Sequence, residues 1–126
     1  MAHVRIISKR KGGLAAAPGE TVVDVDRTHA VLGNRHHLRD WRDDAERAKV
    51  IVRHDSDLQA DISRQGPMYA ALLGLAERLR AGENLALRCW CSPKPCHAEN
   101  YRRVLEKMLD QSLSPPDDGQ PQQKLF

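Results

Sequence analysis

Three cysteines and one histidine lie within nine consecutive residues, in a segment that reads Cys-Trp-Cys-Ser-Pro-Lys-Pro-Cys-His from Cys89 to His97. Thiolates and imidazoles act as nucleophiles, as proton carriers and as zinc ligands, and each role requires the groups to lie close together. An odd number of cysteines at this spacing makes a poor disulfide framework, which favours reduced thiols in the cytoplasm. We therefore expect the chemistry of this chain, whatever its substrate, to centre on this segment.

Cys96 and His97 are the candidate catalytic residues of the segment. Both are expected near the first turn of a helix, where the helix dipole and the neighbouring Lys94 favour a thiolate. Cys96 would then act as a nucleophile or an anion contact, and His97 as an acid or base near neutral pH. Lys94 is a candidate ligand-binding residue.

Two other interpretations of the same residues stay open. Three thiols and an imidazole suffice for a tetrahedral zinc site, whose ligands would be Cys89, Cys91, Cys96 and His97. Because Cys96 and His97 are directly adjacent, we do not expect all four to bind one ion, and zinc is the alternative. In the third interpretation the cysteines are small buried hydrophobic residues and the histidine caps a helix.

Patterns of apolar residues around the segment predict a small α/β domain. Short β-branched runs are typical of strands, and apolar residues at three- and four-residue spacings are typical of helices. The predicted strands cover residues 4–7, 21–26 and 85–91, and the predicted helices cover residues 39–54, 67–81 and about 95–109. Residues 50–52 also fit a strand. The expected architecture is a central, mostly parallel sheet with flanking helices.

The cysteine segment is thus predicted to connect the end of the last strand to the start of the last helix. Ligand sites in open α/β sheets lie beyond the carboxyl ends of the strands, where helix N-termini also offer free N–H groups to anions. The segment therefore stands where a site is expected.

A second candidate region is the loop signal Gly33-Asn34, which Arg35 and two histidines follow. Glycine allows a positive φ and a close approach of the backbone to a ligand. We expect Gly33, Asn34 and Arg35 to bind a phosphate or a nucleobase, with Arg35 as the phosphate clamp. A plain turn is the alternative.

Composition divides the 126 residues into one folded domain, residues 1–111, and a polar tail, residues 112–126. Aromatic residues make up only 4% of the chain, so the core must be built from aliphatic side chains. The tail is rich in proline and glutamine and is expected to be disordered. The sequence contains neither a secretory signal nor an apolar stretch near the roughly 20 residues that span a bilayer, so no membrane contact is expected.

In its Gly33-Asn34 loop and its cysteine segment, the chain resembles a phage and bacterial family labelled a domain of unknown function. That family is recognised by Gly-Asn-Pro early and Cys-Trp-Cys-x-Pro-x-x-Cys-His late. The late motif is complete at residues 89–97, and Gly33 and Asn34 match the early one, while Arg35 replaces its proline. The resemblance covers about residues 21–110. It implies a compact α/β fold in which the two segments face one cleft, and it implies no established reaction.

These observations lead to two hypotheses on function. The first is an enzyme that acts on a nucleotide, a nucleic acid or a nucleotide-derived group, in the DNA metabolism of a phage or mobile element. The second is a non-catalytic module that binds DNA or a protein, in which the cysteine turn is structural, with or without zinc.

The tail carries one further signal, since Gln-Gln-Lys-Leu-Phe is similar to the pentapeptide by which bacterial replication and repair proteins bind the sliding clamp. In the pattern Gln-Leu-Ser/Asp-Leu-Phe, Gln122, Leu125 and Phe126 match, whereas Gln123 and Lys124 do not. An extended peptide that buries two apolar side chains in a partner's pocket binds in this way. The sliding clamp is therefore a candidate partner.

Overall fold

The computed structural model describes residues 2–10, 12–34, 36, 38–40, 42–90, 94 and 96–115. Among these residues, three parallel strands and three helices form a small α/β domain, which confirms the predicted fold class. In chain order the elements are β1 (Val4–Ser8), β2 (Glu20–Asp24), α1 (Asp44–Ser63), α2 (Pro67–Arg80), β3 (Asn84–Cys89) and α3 (Ala98–Leu109). None of the helices in this part of the chain combines the length and apolar character needed to cross a bilayer.

The sheet has the order β1-β3-β2, so its central strand is the last one in the sequence. Leu87 of β3 is paired with Ile6 of β1 on one side and with Val23 of β2 on the other. Because β1 and β2 flank β3, the connection between them must pass across the face of the sheet. All three strands run in the same direction, and their carboxyl ends therefore meet at one edge.

Helix α1 is longer than predicted and includes residues 50–52, so the alternative of a strand there was wrong. It begins after Asp43, whose carboxylate accepts a hydrogen bond from the Glu46 N–H at 2.9 Å. The buried face continues at three- and four-residue spacings through polar side chains, and its members are Arg47, Val50, His54, Leu58 and Asp61. A helix predicted from the spacing of apolar residues alone therefore ends too early, because polar residues occupy part of the buried face.

Helix α2 begins at Pro67, a residue suited to the first helical position, and ends before Gly82, whose φ is +96°. Helices α2 and α3 contact each other, and the core between helices and sheet contains Leu72, Leu87, Tyr101 and Leu105. The aliphatic contacts are those that the composition predicted, whereas Tyr101, which is 0% exposed, adds an aromatic side chain that it did not predict.

The folded part of the chain reaches beyond residue 111, where the sequence placed its boundary. Leu113 is 0% exposed, and its carbonyl oxygen accepts a hydrogen bond from the Val4 N–H at 2.7 Å. This contact attaches the segment after α3 to the outer edge of β1. Gln122, Leu125 and Phe126 lie outside the described residues.

Candidate functional site

A cavity of about 390 Å³ opens at the carboxyl edge of the sheet. Its walls come from the loop after β2, from the first half of α1, and from the segment between β3 and α3. The volume falls in the range of roughly 300–1,000 Å³ that is typical of small-molecule sites. The position is the one predicted for the cysteine segment.

Two thiols form part of the cavity wall. Cys89 ends β3 and Cys96 precedes α3, and their Sγ atoms are 2.8 Å apart. This distance is longer than a disulfide bond of about 2.05 Å, so both residues are thiols. The Cys89 thiol donates to the Ile7 carbonyl oxygen at 3.7 Å. Each cysteine is only 1% exposed, so a reagent reaches the sulfur atoms only through the cavity.

His97 presents one ring nitrogen to Cys96 and uses the other to hold its own orientation. Its Nε2 lies 2.6 Å from the Val25 carbonyl oxygen and 3.2 Å from that of Leu32. Carbonyl oxygens only accept, so Nε2 carries the hydrogen and Nδ1 has a free lone pair. Nδ1 lies 3.4 Å from Cys96 Sγ. A thiol beside an oriented imidazole base is the arrangement that nucleophilic catalysis requires.

Burial keeps the His97 imidazole neutral. It lowers the pKa of His97 below its ordinary value, although the hydrogen bonds to the Val25 and Leu32 carbonyl oxygens work in the opposite direction. The neutral ring can therefore accept a proton from Cys96 at neutral pH.

A second histidine, His54, is linked to His97 through a chain of buried hydrogen bonds. Asn100 Nδ2 donates to His54 Nδ1 at 3.1 Å, which leaves His54 Nε2 to donate to the Tyr101 hydroxyl at 2.9 Å. The Tyr101 hydroxyl in turn donates to the Leu32 carbonyl oxygen at 2.9 Å, the same oxygen that His97 contacts. Burial lowers the pKa of His54 to about 3 and raises that of Tyr101. We call His54, His97, Asn100 and Tyr101 the neutral cluster.

The cavity wall also contains the ionised carboxylate of Asp26. Asp26 accepts hydrogen bonds from Lys9 Nζ at 2.7 Å, from Trp90 Nε1 at 3.0 Å, and from the backbone and hydroxyl of Thr28. Burial alone would raise the pKa of Asp26, but the hydrogen bonds from Lys9 and Thr28 and the charge of Lys9 outweigh it and lower the pKa to about 2. We call Lys9, Asp26, Thr28 and Trp90 the ionic cluster. It holds the indole of Trp90 at the cavity rim, where that side chain is 53% exposed.

Asn34 of the early motif lines the same cavity as Cys96 and His97 of the late motif. Its side-chain oxygen accepts a hydrogen bond from the His36 N–H at 2.9 Å, and His36 Nε2 lies 2.6 Å from Asp57 Oδ2. Arg35, the predicted phosphate clamp, lies outside the described residues.

The expected reason for Gly33 was wrong. Its φ is not in the left-handed region, and Gly33 is not among the residues that line the cavity. A Cβ atom there would lie 2.6 Å from the Asp26 carbonyl oxygen and 2.8 Å from that of His29. Glycine is required because this loop packs tightly on itself, which brings the Leu32 carbonyl oxygen to the neutral cluster.

The surroundings of Cys96 also differ from the expectation. Lys94 Nζ lies 3.1 Å from Asp44 Oδ1 and does not line the cavity. The Cys96 N–H donates to Glu99 Oε2 at 3.1 Å, and α3 begins only at Ala98. A carboxylate from the first turn of the helix therefore already binds the backbone there. His97, more than Lys94 or the helix dipole, is the group that can activate Cys96.

Sequence reasoning missed Arg47, a cation in the cavity wall. This side chain of α1 is only 3% exposed, and its Nε lies 3.8 Å from Asp44 Oδ1. Its signal was its spacing, since Arg47 precedes Val50 by three residues and His54 by seven on one helix face. A buried guanidinium at a cavity wall is suited to bind a carboxylate or a phosphate.

The described residues contain no group of three or more histidine, cysteine or acidic side chains arranged to hold a metal ion. Cys91, one of the four alternative zinc ligands, lies outside the described residues. That the four residues do not bind one zinc ion together therefore stays a prediction.

Comparison with known proteins shows the family of the chain. Residues 7–107 match the family described as "Domain of unknown function (DUF4326)", so the chain belongs to that family, as the resemblance of its motifs indicated. No curated protein and no solved structure shows significant similarity to it.

Proposed function

We propose that this member of the family is an enzyme that binds a nucleotide or a nucleotide-derived group in the cavity and uses Cys96 as its nucleophile. One observation carries the proposal. The Cys96 thiol lies 3.4 Å from the unprotonated Nδ1 of His97, in the wall of a cavity that also contains a buried guanidinium and an exposed indole. The proposed nucleophile and the side chains that could bind a nucleotide thus line the same cavity.

The proposed chemistry follows from the orientation of His97. Cys96 gives its proton to His97 Nδ1, and the resulting thiolate attacks an electrophilic atom of the bound group. The imidazolium that forms is stabilised by the Val25 and Leu32 carbonyl oxygens on its other nitrogen. His97 then returns the proton to the leaving group. In a second step His97 takes a proton from water, the water attacks the group bonded to Cys96, the S–X bond breaks, and the departing thiolate recovers its proton from His97.

Recognition would use the other walls of the cavity. The indole of Trp90, held in place by Asp26, offers a face on which a base can stack, an interaction worth roughly 1–3 kcal/mol. Asn34 can read the edge of a base, and Arg47 can pair with a phosphate. Arg35, next to Asn34 in the sequence, is a candidate second phosphate contact.

An enzyme that acts on nucleotides could serve the DNA metabolism of a phage or mobile element. We place it in the reducing cytoplasm, where both thiols would persist. Binding of the sliding clamp through Gln122, Leu125 and Phe126 would bring the domain to replicating DNA. A peptide of residues 112–126 should then bind the clamp in calorimetry. The same peptide with Leu125→Ala and Phe126→Ala should not.

Calorimetry with AMP and GMP tests recognition in the cavity. We expect Arg47→Gln to lower the affinity for the nucleotide that binds by roughly ten- to a hundredfold, since a charge-assisted hydrogen bond contributes about 1.5–3 kcal/mol. Arg53→Gln, which removes an exposed arginine from the same helix, should leave the affinity unchanged. Binding of neither nucleotide, or equal losses in both variants, would contradict the proposal.

Alkylation by iodoacetamide tests the nucleophile. His97→Asn should slow the modification of Cys96 at neutral pH, because the base that accepts the thiol proton is gone. A bound nucleotide should slow the modification in the unaltered protein by blocking access. Equal rates with and without His97 would show that Cys96 is not activated in this way.

The second candidate is a non-catalytic binding module, which the burial of both thiols favours. In that case Cys96→Ser would lower stability and leave the affinity of the folded protein for its ligand intact. Stoichiometric zinc, with loss of structure on chelation, would also support this candidate.

A further inference from the structure

We propose that Cys89 and Cys96 form a reversible intramolecular disulfide when a peroxide enters the cavity. The two Sγ atoms are already 2.8 Å apart, and both residues line the cavity. Disulfide formation needs only a small further approach of the sulfur atoms. The inference uses only the two thiols and the neighbouring His97, and it does not depend on whether a nucleotide binds.

The pair is asymmetric, which determines the order of events. Cys96 has an imidazole nitrogen at 3.4 Å, whereas the Cys89 thiol donates to a carbonyl oxygen. Cys96 is therefore the thiol that loses its proton first and attacks the peroxide. Cys89, next to it, is the resolving thiol.

The reaction balances with hydrogen peroxide as the oxidant. Cys96 passes its proton to His97 Nδ1, its sulfur attacks one peroxide oxygen, and the O–O bond breaks. The products are a sulfenic acid on Cys96 and hydroxide, which takes the proton from His97 and leaves as water. The Cys89 sulfur then attacks the Cys96 sulfur, and the S–O bond breaks. The departing hydroxide leaves as a second water with the Cys89 proton.

Oxidation has a consequence for the site. It removes the proposed nucleophile and joins the end of β3 to the residues that precede α3. A thiol reductant such as dithiothreitol reverses it, whereas a sulfinic acid on Cys96 would not be reversed by a thiol. The pair thus protects Cys96 from irreversible oxidation.

Mass spectrometry of the full-length protein tests this inference. Trypsin releases residues 89–102 as one peptide that contains all three cysteines, because proline follows Lys94. After hydrogen peroxide and then iodoacetamide, we expect this peptide to be two hydrogens lighter and to carry one alkyl group, on Cys91. After dithiothreitol it should carry three alkyl groups.

Two variants provide the matched comparison. Cys91→Ala should still form the disulfide, whereas Cys89→Ala should not, and its Cys96 should proceed to the sulfinic acid. Fragmentation of the peptide from the unaltered protein identifies the linked pair even if Cys89→Ala fails to fold. A peptide that keeps three alkyl groups after peroxide, or a disulfide that requires Cys91, would overturn the proposal.

Discussion

The neutral cluster reaches the cavity through His97 and the ionic cluster through Asp26, Thr28 and Trp90, yet buried ionisable groups are neutral in the first cluster and charged in the second. Around His54 and His97 the partners are an amide, a hydroxyl and carbonyl oxygens, so burial prevails and both imidazoles stay neutral. Around Asp26 the partners are an ammonium group and three N–H or O–H donors, and the carboxylate stays ionised although it is buried. The identity of the partners, more than depth, therefore determines the protonation state.

The two clusters should respond to acid in separate ranges of pH. The pKa of His54 is about 3 in the folded protein and 6.5 when unperturbed, so the unfolded chain binds the proton first. The stability that depends on neutral His54 is complete above pH 6.5 and is lost as the pH falls towards 3. For Asp26 the corresponding range runs from pH 3.8 down to about 2.

The largest expected effect is therefore a loss of stability in mild acid. Between pH 6.5 and 4.5 the free energy of unfolding should fall by about 1.4 kcal/mol per pH unit, because His54 stays neutral in the folded protein while the unfolded chain takes up a proton. Urea unfolding at several pH values measures this slope. In His54→Gln the slope should be smaller by the contribution of one histidine. An unchanged slope would mean that His54 is not buried as a neutral base.

Asp26→Asn tests the ionic cluster. The amide keeps the shape of the side chain but removes the charge that Lys9 and Trp90 bind, and we expect a loss of about 2 kcal/mol. Asp57→Asn is the control, because that carboxylate is 57% exposed and its pair with His36 should contribute less than about 1 kcal/mol. Similar losses in the two variants would show that the ionic cluster adds no more than a surface pair.

Tyr101→Phe should have the smallest effect of the three, a loss of about 1 kcal/mol. It removes the hydroxyl that links His54 to the Leu32 carbonyl oxygen, while the ring keeps its packing. Tyr69→Phe makes the same change outside the neutral cluster. If thermal unfolding shifts alike in both variants, the hydroxyl has no special role in the cluster.

The sequence predicted the scaffold well because its elements follow from local patterns. Strands, helices and the position of the cysteine segment depend on neighbouring residues, and the resemblance added that Asn34 and His97 share a cleft. The clusters depend on contacts between residues that are far apart in the chain, such as Trp90 with Asp26 and Asn100 with His54. No spacing rule links these pairs.

Polar side chains on buried faces account for most of what was missed. Arg47 and His54 occupy positions of α1 where the periodicity calls for apolar residues, so they were not recognised as buried. Gly33 was recognised but for the wrong reason. Its close approach to the Asp26 carbonyl oxygen depends on how the loop folds, which no local sequence pattern indicates. The predicted role of Lys94 failed to anticipate its partner Asp44, the first residue of α1.

The position of β3 in the centre of the sheet has a consequence for how the chain acquires its structure during synthesis. Strands β1 and β2 pair with β3 and not with each other. Until the ribosome has synthesised β3, which begins at residue 84, the backbone N–H and C=O groups of β1 and β2 have no partner strand. Helices α1 and α2 likewise have no complete sheet to pack on. Contacts between residues so distant in sequence form slowly, because a long loop must close first. The cysteine segment follows β3 directly, so the cavity and the sheet are completed by the same late stretch of chain.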